Sequence, residues 1–257
     1  TNSLIPEQVE SIVARVLESR RDERQTFTVG LSLDHIGERH DAIRGAPGNF
    51  PRVAETYRRL AALKRRSGGL TLNVQTVLAS FNHQELPEIT SWVSGNFPEV
   101  DFHSFELLRP PFPDSTIRPL TAAEYASALA FLKSYWTRFQ RYRPMLRLLK
   151  VAARDAELQT LEARRMVYPC YAGTVSGVLN PEGTVALCEV QWEIGNIRDF
   201  GFSFRKAWFS EKAQEMRRRI AGRACWCTHS CFMSSSLPFS VKGVAHLAKT
   251  ALLPARG

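Results

Sequence analysis

Cys170-x12-Gly183-x4-Cys188, closed further along by Cys225-Trp226-Cys227-Thr228-His229-Ser230-Cys231, is the stretch whose reading decides the fold. All five cysteines of the 257-residue chain lie within it. A lone cysteine reads as a small buried hydrophobe. Five gathered together suit a metal centre, which draws several thiolates from short, stiff pieces of backbone. A disulfide framework fits poorly, because the chain is long, the cysteine number is odd and the residues given show no signal-peptide pattern. Tetrahedral zinc and a cubane iron–sulfur cluster both take four thiolates, so one sulfur is spare and the spacing does not say which. Zinc knuckles pair their ligands more closely than Cys170 and Cys188, which turns the reading toward iron–sulfur.

The residues between the first two cysteines predict a hairpin. Apolar residues alternate from Val175 to Leu179, Asn180-Pro181-Glu182-Gly183 reads as a tight turn, and Thr184-Val185-Ala186-Leu187 resumes in extended form. Cys188 is then expected on the returning strand and Cys170 just ahead of the outgoing one. The remaining cysteines close the site from the far end of a helix expected over about Phe204 to Ala221. Trp208, Met216 and Ile220 lie near one face of that helix, with Arg217 to Arg219 at its solvated end beside the cysteines. His229 is an alternative ligand, but with five sulfurs present the expectation is that sulfur fills the site.

Upstream, the pattern changes to alternating strands and helices. A helix from Pro6 with Val9, Ile12, Val13, Val16 and Leu17 on its buried face precedes a strand over Thr26 to Leu33. A polar loop runs through Arg39 to Gly45, and a helix over about Phe50 to Arg66 leads to a strand at Leu70 to Leu78. Asn82 with Glu85 reads as a capping box for a helix ending near Gly95, followed by a strand at Val100 to Leu107. This order argues for parallel βα units, in which chemistry belongs at the carboxyl ends of the strands. Pro110-Pro111-Phe112-Pro113-Asp114 reads as a break. Thr121 with Glu124 forms another capping box, Tyr125 to Tyr142 is expected to be helical, and Arg143 to Arg165 holds a second helix. After Cys231 the chain reads as a tail with a short helix around Val244 to Leu252.

Composition narrows the partners without naming one. The apolar content of 44% suffices for a packed core, and no apolar run approaches the ~20 residues that a spanning helix needs. The net charge of +9 favours anionic partners, but basic charge without a recognition-module signature does not make a nucleic-acid surface. The expected setting is cytoplasmic.

The cysteine spacing, Ile194-Gly195-Asn196-Ile197, Ala207-Trp208-Phe209-Ser210 and the cysteine-rich close together resemble the auxiliary-cluster domain of radical S-adenosylmethionine (radical SAM) enzymes, of the type called SPASM or its shorter relative, twitch. Full SPASM domains have seven cysteines and two clusters, whereas five resemble the one-cluster version. Thr1-Asn2-Ser3, Ser32-Leu33-Asp34, His40-Asp41-x2-Arg44-Gly45 and Val77-Leu78-x3-Asn82-x2-Glu85-Leu86 resemble the third to fifth βα units of the partial barrel of that family. The resemblance implies an α/β chain: a partial parallel (β/α) barrel lacking its first strands over 1–112, a helical connection over 113–166, a small α+β cysteine-rich domain over 167–235 and a tail over 236–257. It implies contacts to S-adenosylmethionine from Ser32 and Asp34, with Arg44 a partner for its carboxylate, and an auxiliary 4Fe-4S cluster held by four of Cys170, Cys188, Cys225, Cys227 and Cys231.

Further expectations follow from the resemblance. The catalytic Cys-x3-Cys-x2-Cys loop of the family is absent from these residues, so the chain reads as a fragment, inactive and poorly soluble by itself. The full-length enzyme is expected to use a 5′-deoxyadenosyl radical on a peptide or small-molecule substrate, with an electron donor such as flavodoxin or ferredoxin. The rival reading is a zinc- or iron–sulfur-binding interaction module whose basic surface meets an acidic partner.

Overall fold

The computed structural model describes residues 1–109, 117–139, 144–190 and 192–252. The chain divides into two compact units, Thr1–Tyr142 and Arg143–Gly257. The expected break at Pro110 to Asp114 lies outside the described residues.

The first unit is built on strands β1 (Phe27–Ser32), β2 (Leu70–Leu78) and β3 (Phe102–Leu107), which lie side by side in chain order and run parallel. Helices α1 (Pro6–Glu18), α2 (Gly37–Arg44), α3 (Asn49–Ser67), α4 (Leu86–Asn96) and α5 (Ala122–Tyr135) surround them in sequence. One face of the sheet is closed by Val29, Leu31, Leu72 and Val74, packed against Val13 and Leu17 of α1 and Val53, Tyr57 and Leu60 of α3. Burying each of these aliphatic side chains contributes about 1.5–3 kcal/mol, which is what keeps the helices on this face. Ile12, expected on the buried face of α1, is exposed, since Val13 and Leu17 are the residues that reach the sheet.

Two local readings are corrected here. The polar loop over Arg39 to Gly45 is helical, because Gly45 adopts a left-handed conformation (φ 59°) that ends α2 and Asp41 accepts hydrogen bonds from the Gly48 and Phe50 amides, 2.6 Å each. Asn82 does not cap α4, which starts beyond Glu85 without a side-chain cap. Instead the Asn82 carboxamide donates to the Asp34 carbonyl (2.9 Å) and the Val77 carbonyl (2.8 Å) and accepts from the Ala79 amide (3.1 Å), tying β1 to β2 beyond their carboxyl ends. The Thr121–Glu124 capping box forms as read. Helix α5 is shorter than expected, passing at Trp136 into a single 3-10 turn.

The second unit begins with α6 (Pro144–Ala163) and continues into an antiparallel sheet of β4 (Val178–Leu179), β5 (Thr184–Ala186) and β6 (Glu193–Asn196). The hairpin turn at Asn180 to Gly183 forms, with Gly183 at φ 91°, a conformation a side chain would strain. The single helix expected over Phe204 to Ala221 is two, α7 (Phe204–Trp208) and α8 (Glu211–Ala221), because the Ser210 hydroxyl accepts from the Ala213 amide and starts a new helix. The supposed tail holds α9 (Ser230–Ser236) and α10 (Val241–Leu252). Two apolar groups form its core. One joins Val185, Leu187, Ile194, Ala207, Ala213, Ile220 and Phe232, and the other joins Ala152, Ala153, Ala156, Tyr168, Met233 and Leu237.

Candidate metal centre

The second unit assembles its cysteines from three places. Cys170 lies between α6 and β4 and packs against both apolar groups, while the amide of the next residue, Tyr171, donates to the Ser236 hydroxyl of α9 at 2.9 Å. Cys188 lies two residues beyond the end of β5, past the strand on which it was expected, and packs against the first group. Cys225 and Cys227 occupy the irregular segment between α8 and α9, and Cys231 is exposed on the first turn of α9.

Electrostatics shows which of them are neighbours. The Cys170 thiol is pushed up to about 11, chiefly by burial; a backbone hydrogen bond at Ala172 opposes this, and the sulfurs of Cys227, Cys225 and Cys188 add smaller upward pushes. Like-charged thiolates repel at close range, so the protons stay on. Cys231 is not among the groups acting on Cys170. None of the five cysteines is in a disulfide. Among the described residues, no three histidine, cysteine, aspartate or glutamate side chains stand so that they could hold a metal ion.

A cross-tie holds the two cysteine segments together. The His229 imidazole, 2% exposed, meets the Glu189 carboxylate through Nε2 and sets its ring edge-on to Phe232, centroids 4.7 Å apart. Glu189 follows Cys188 directly, and His229 stands between Cys227 and Cys231. Sequence reasoning considered His229 only as a ligand and missed Glu189, whose position beside a cysteine was the available signal. Arg217, expected at a solvated helix end, is drawn inward instead. It donates to the carbonyls of Gly173 and Trp208 and lies over the Trp208 ring, 4.7 Å from its centroid, bracing the turn after Cys170.

In the first unit, the carboxyl end of β1 carries Ser32 and, two residues on, Asp34. Asp34 is buried; one carboxylate oxygen accepts from the Val77 amide at 2.8 Å and the other lies 2.8 Å from Arg44 Nε. The angle at Arg44 makes this an ion pair more than an aligned hydrogen bond. Desolvation raises the Asp34 carboxyl above its ordinary range, with Arg44 and the Val77 amide pulling the other way. Each Asp34 oxygen thus has one partner within the protein, the Val77 amide and Arg44. The Asp34 amide in turn donates to Nδ1 of buried His40 at 3.2 Å, and His40 Nε2 faces the Asn49 side-chain oxygen at 3.0 Å. Ser32 is half-buried and its hydroxyl makes no hydrogen bond among the described residues. The structure thus brings Asp34 and Arg44 into contact.

The family model of the SPASM iron–sulfur cluster-binding domain matches residues 167–232. No curated protein matches the chain. Among solved structures, native anSMEcpe with bound AdoMet superposes with a TM-score of 0.55 at 16% identity, covering 97% of this chain and 70% of that chain. The hexahistidine-tagged form with bound AdoMet gives 0.56 at 17% identity, covering 97% of this chain and 68% of that one. Native anSMEcpe with bound AdoMet and Kp18Cys peptide gives 0.53 at 17%, covering 94% and 70%. At these identities the likeness is one of fold. Among the described residues, no helix is long and apolar enough to cross a membrane.

Proposed function

We propose that the protein is a radical SAM enzyme whose second unit holds an auxiliary 4Fe-4S cluster and whose first unit contributes to the site for S-adenosylmethionine and a peptide substrate. The observation that carries this reading is the match of the SPASM model to residues 167–232, which contain all five cysteines, Cys170, Cys188, Cys225 and Cys227 among them. These four supply one sulfur for each iron of a cubane, and exposed Cys231 is the one left over. Together with a catalytic cluster, whose Cys-x3-Cys-x2-Cys loop is not among these residues, S-adenosylmethionine would supply a 5′-deoxyadenosyl radical able to abstract a hydrogen atom from the substrate.

The residues of the chain do the holding. Arg44, fixed by Asp34, offers its remaining guanidinium donors to a carboxylate, and the Ser32 hydroxyl offers a donor to a ribose or methionine group. Glu189 and His229 tie the hairpin to the carboxyl-terminal cysteines, whose thiols would bind iron as thiolates. The peptide class is supported by the peptide-bound neighbour of the same fold, and an electron donor such as flavodoxin or ferredoxin would serve the reaction from the cytoplasm.

Anaerobic reconstitution tests this reading. A brown protein with about four irons and matching acid-labile sulfide per auxiliary site, losing them in Cys170→Ala but keeping them in Cys231→Ser, is the expected result. Colourless protein with about one zinc and no sulfide would replace the cluster with a structural zinc site and leave an interaction module for an acidic partner. Formation of 5′-deoxyadenosine from S-adenosylmethionine, measured on the cluster-loaded full-length protein, tests the enzyme half; its absence there removes it.

A further inference from the structure

The central strand of a parallel sheet is normally covered on both faces and reads as a continuous apolar run. Strand β2 does not. Leu70, Leu72, Val74, Thr76 and Leu78 follow the core face, while Thr71, Asn73, Gln75 and Val77 point to the other side by strand alternation. Register places Ser32 beside Gln75 and Gln75 beside Ser104, one polar row crossing all three strands, with Gly30 and Asn73 one step below. Gln75 is exposed between buried Val74 and Thr76.

Two features show that this row is built to present Gln75. A Cβ placed on Gly30 would come within 2.8 Å of Gln75 Cδ and Oε1, so the carboxamide lies across β1 at the one position without a side chain. It makes no hydrogen bond among the described residues, and neither does the Ser32 hydroxyl beside it. Beneath them, the side-chain oxygen of Asn73 is fully buried on the same face with no partner among the described residues, in a residue only 6% exposed. Buried polar atoms are rarely left unpaired, and such an atom next to an open carboxamide points to a ligand group that completes it.

From these observations we infer that Gln75 is a specificity-determining residue that pairs with a main-chain amide of the substrate, with Asn73 completing the polar platform. This rests on the peptide reading proposed above and goes beyond it by naming the contact. A carboxamide offers a donor and an acceptor on one edge, and an extended peptide residue presents its own N–H and C=O on one side to match them. A carboxylate has no proton for Gln75 Oε1 and would approach Glu106, which projects from the same face one step nearer the carboxyl end. A hydrocarbon would leave Gln75 and Asn73 unsatisfied.

The test uses the cluster-loaded protein and a pool of acetylated, amidated random hexapeptides, captured and counted by mass spectrometry. A second pool carries a methyl group on every backbone nitrogen. Wild type should retain the first pool and not the second. Gln75→Leu, which removes the pair, and Gly30→Ala, which displaces the flexible carboxamide without moving backbone, should each lower retention about five- to tenfold, the effect of losing one or two neutral hydrogen bonds. Equal retention by wild type and both variants overturns the role of Gln75 and leaves the peptide reading standing. Equal retention of the two pools overturns recognition through the amide. Retention of neither pool by wild type overturns the peptide reading and this inference with it.

Discussion

The two units are held together in different ways. In the first, a relay of buried polar groups is answered from within the chain, with Asn73 Oδ1 left outside it. Thr76 donates to the Leu33 carbonyl at 2.5 Å, so its oxygen must accept from His103 Nε2 at 2.8 Å, which leaves His103 Nδ1 to accept from the Tyr135 hydroxyl at 3.1 Å. One proton per bond, assigned in order, locks β1, β2, β3 and α5 together inside an apolar layer. The second unit has strands of two to four residues and carries all five cysteines. On the cluster reading proposed above, the first unit relies on its own packing and the second gains stability from what its thiols hold, since binding to the folded form alone adds directly to stability.

Metal removal should break this contrast most visibly. Stripping the cluster with a chelator is expected to abolish slow hydrogen exchange across residues 167–232 while leaving β1 to β3 protected, as read by exchange mass spectrometry. Equal loss in both units would mean that they are not separately stabilised. Next in size, Leu72→Ala removes a fully buried side chain from the sheet core and should lower the stability of the first unit by about 2–5 kcal/mol in urea titration, with iron content unchanged.

Acid should separate the units as well. Burial pulls His103 down to about 3, so the folded state holds it neutral while the unfolded state protonates near its ordinary value of 6.5. Its contribution is therefore fully present above about pH 6.5 and declines as the pH falls from there toward 3, by about 1.4 kcal/mol for each pH unit. The urea midpoint of the first unit should follow that slope, and His103→Phe should flatten it. The smallest effect is expected from Thr121→Ala. It removes the hydroxyl that caps α5 and should lower thermal stability by about 1 kcal/mol without altering cofactor content.

Legibility in the sequence followed the range of the interactions. Strand β2 was read to the residue because its apolar run is bounded by Gly68-Gly69 and by the polar segment from Ser80, both local signals. The Thr121 capping box was equally local. Asn82 carried the same spacing but was claimed by a carbonyl 48 residues away, a partner that periodicity cannot show. The division at Ser210 had a signal that went unused, a serine followed directly by Glu211 in the first helical turn. The cysteine spacing left open which sulfur is spare, and the exposure of Cys231 was hidden from it because that depends on how α9 turns the residue outward. Gln75 escaped notice since a single glutamine in a strand looks ordinary until the neighbouring strand supplies Gly30 opposite its head group.

Cys170 touches both apolar groups of the second unit. If Cys170 ligates iron as proposed, the two groups answer to a single event: when oxidation releases the iron, helix α6 and the hairpin lose their common anchor together. Damage there should then show as all-or-none collapse of the whole unit, so that proteolysis of oxidised samples yields intact or fully degraded material with few stable partial fragments.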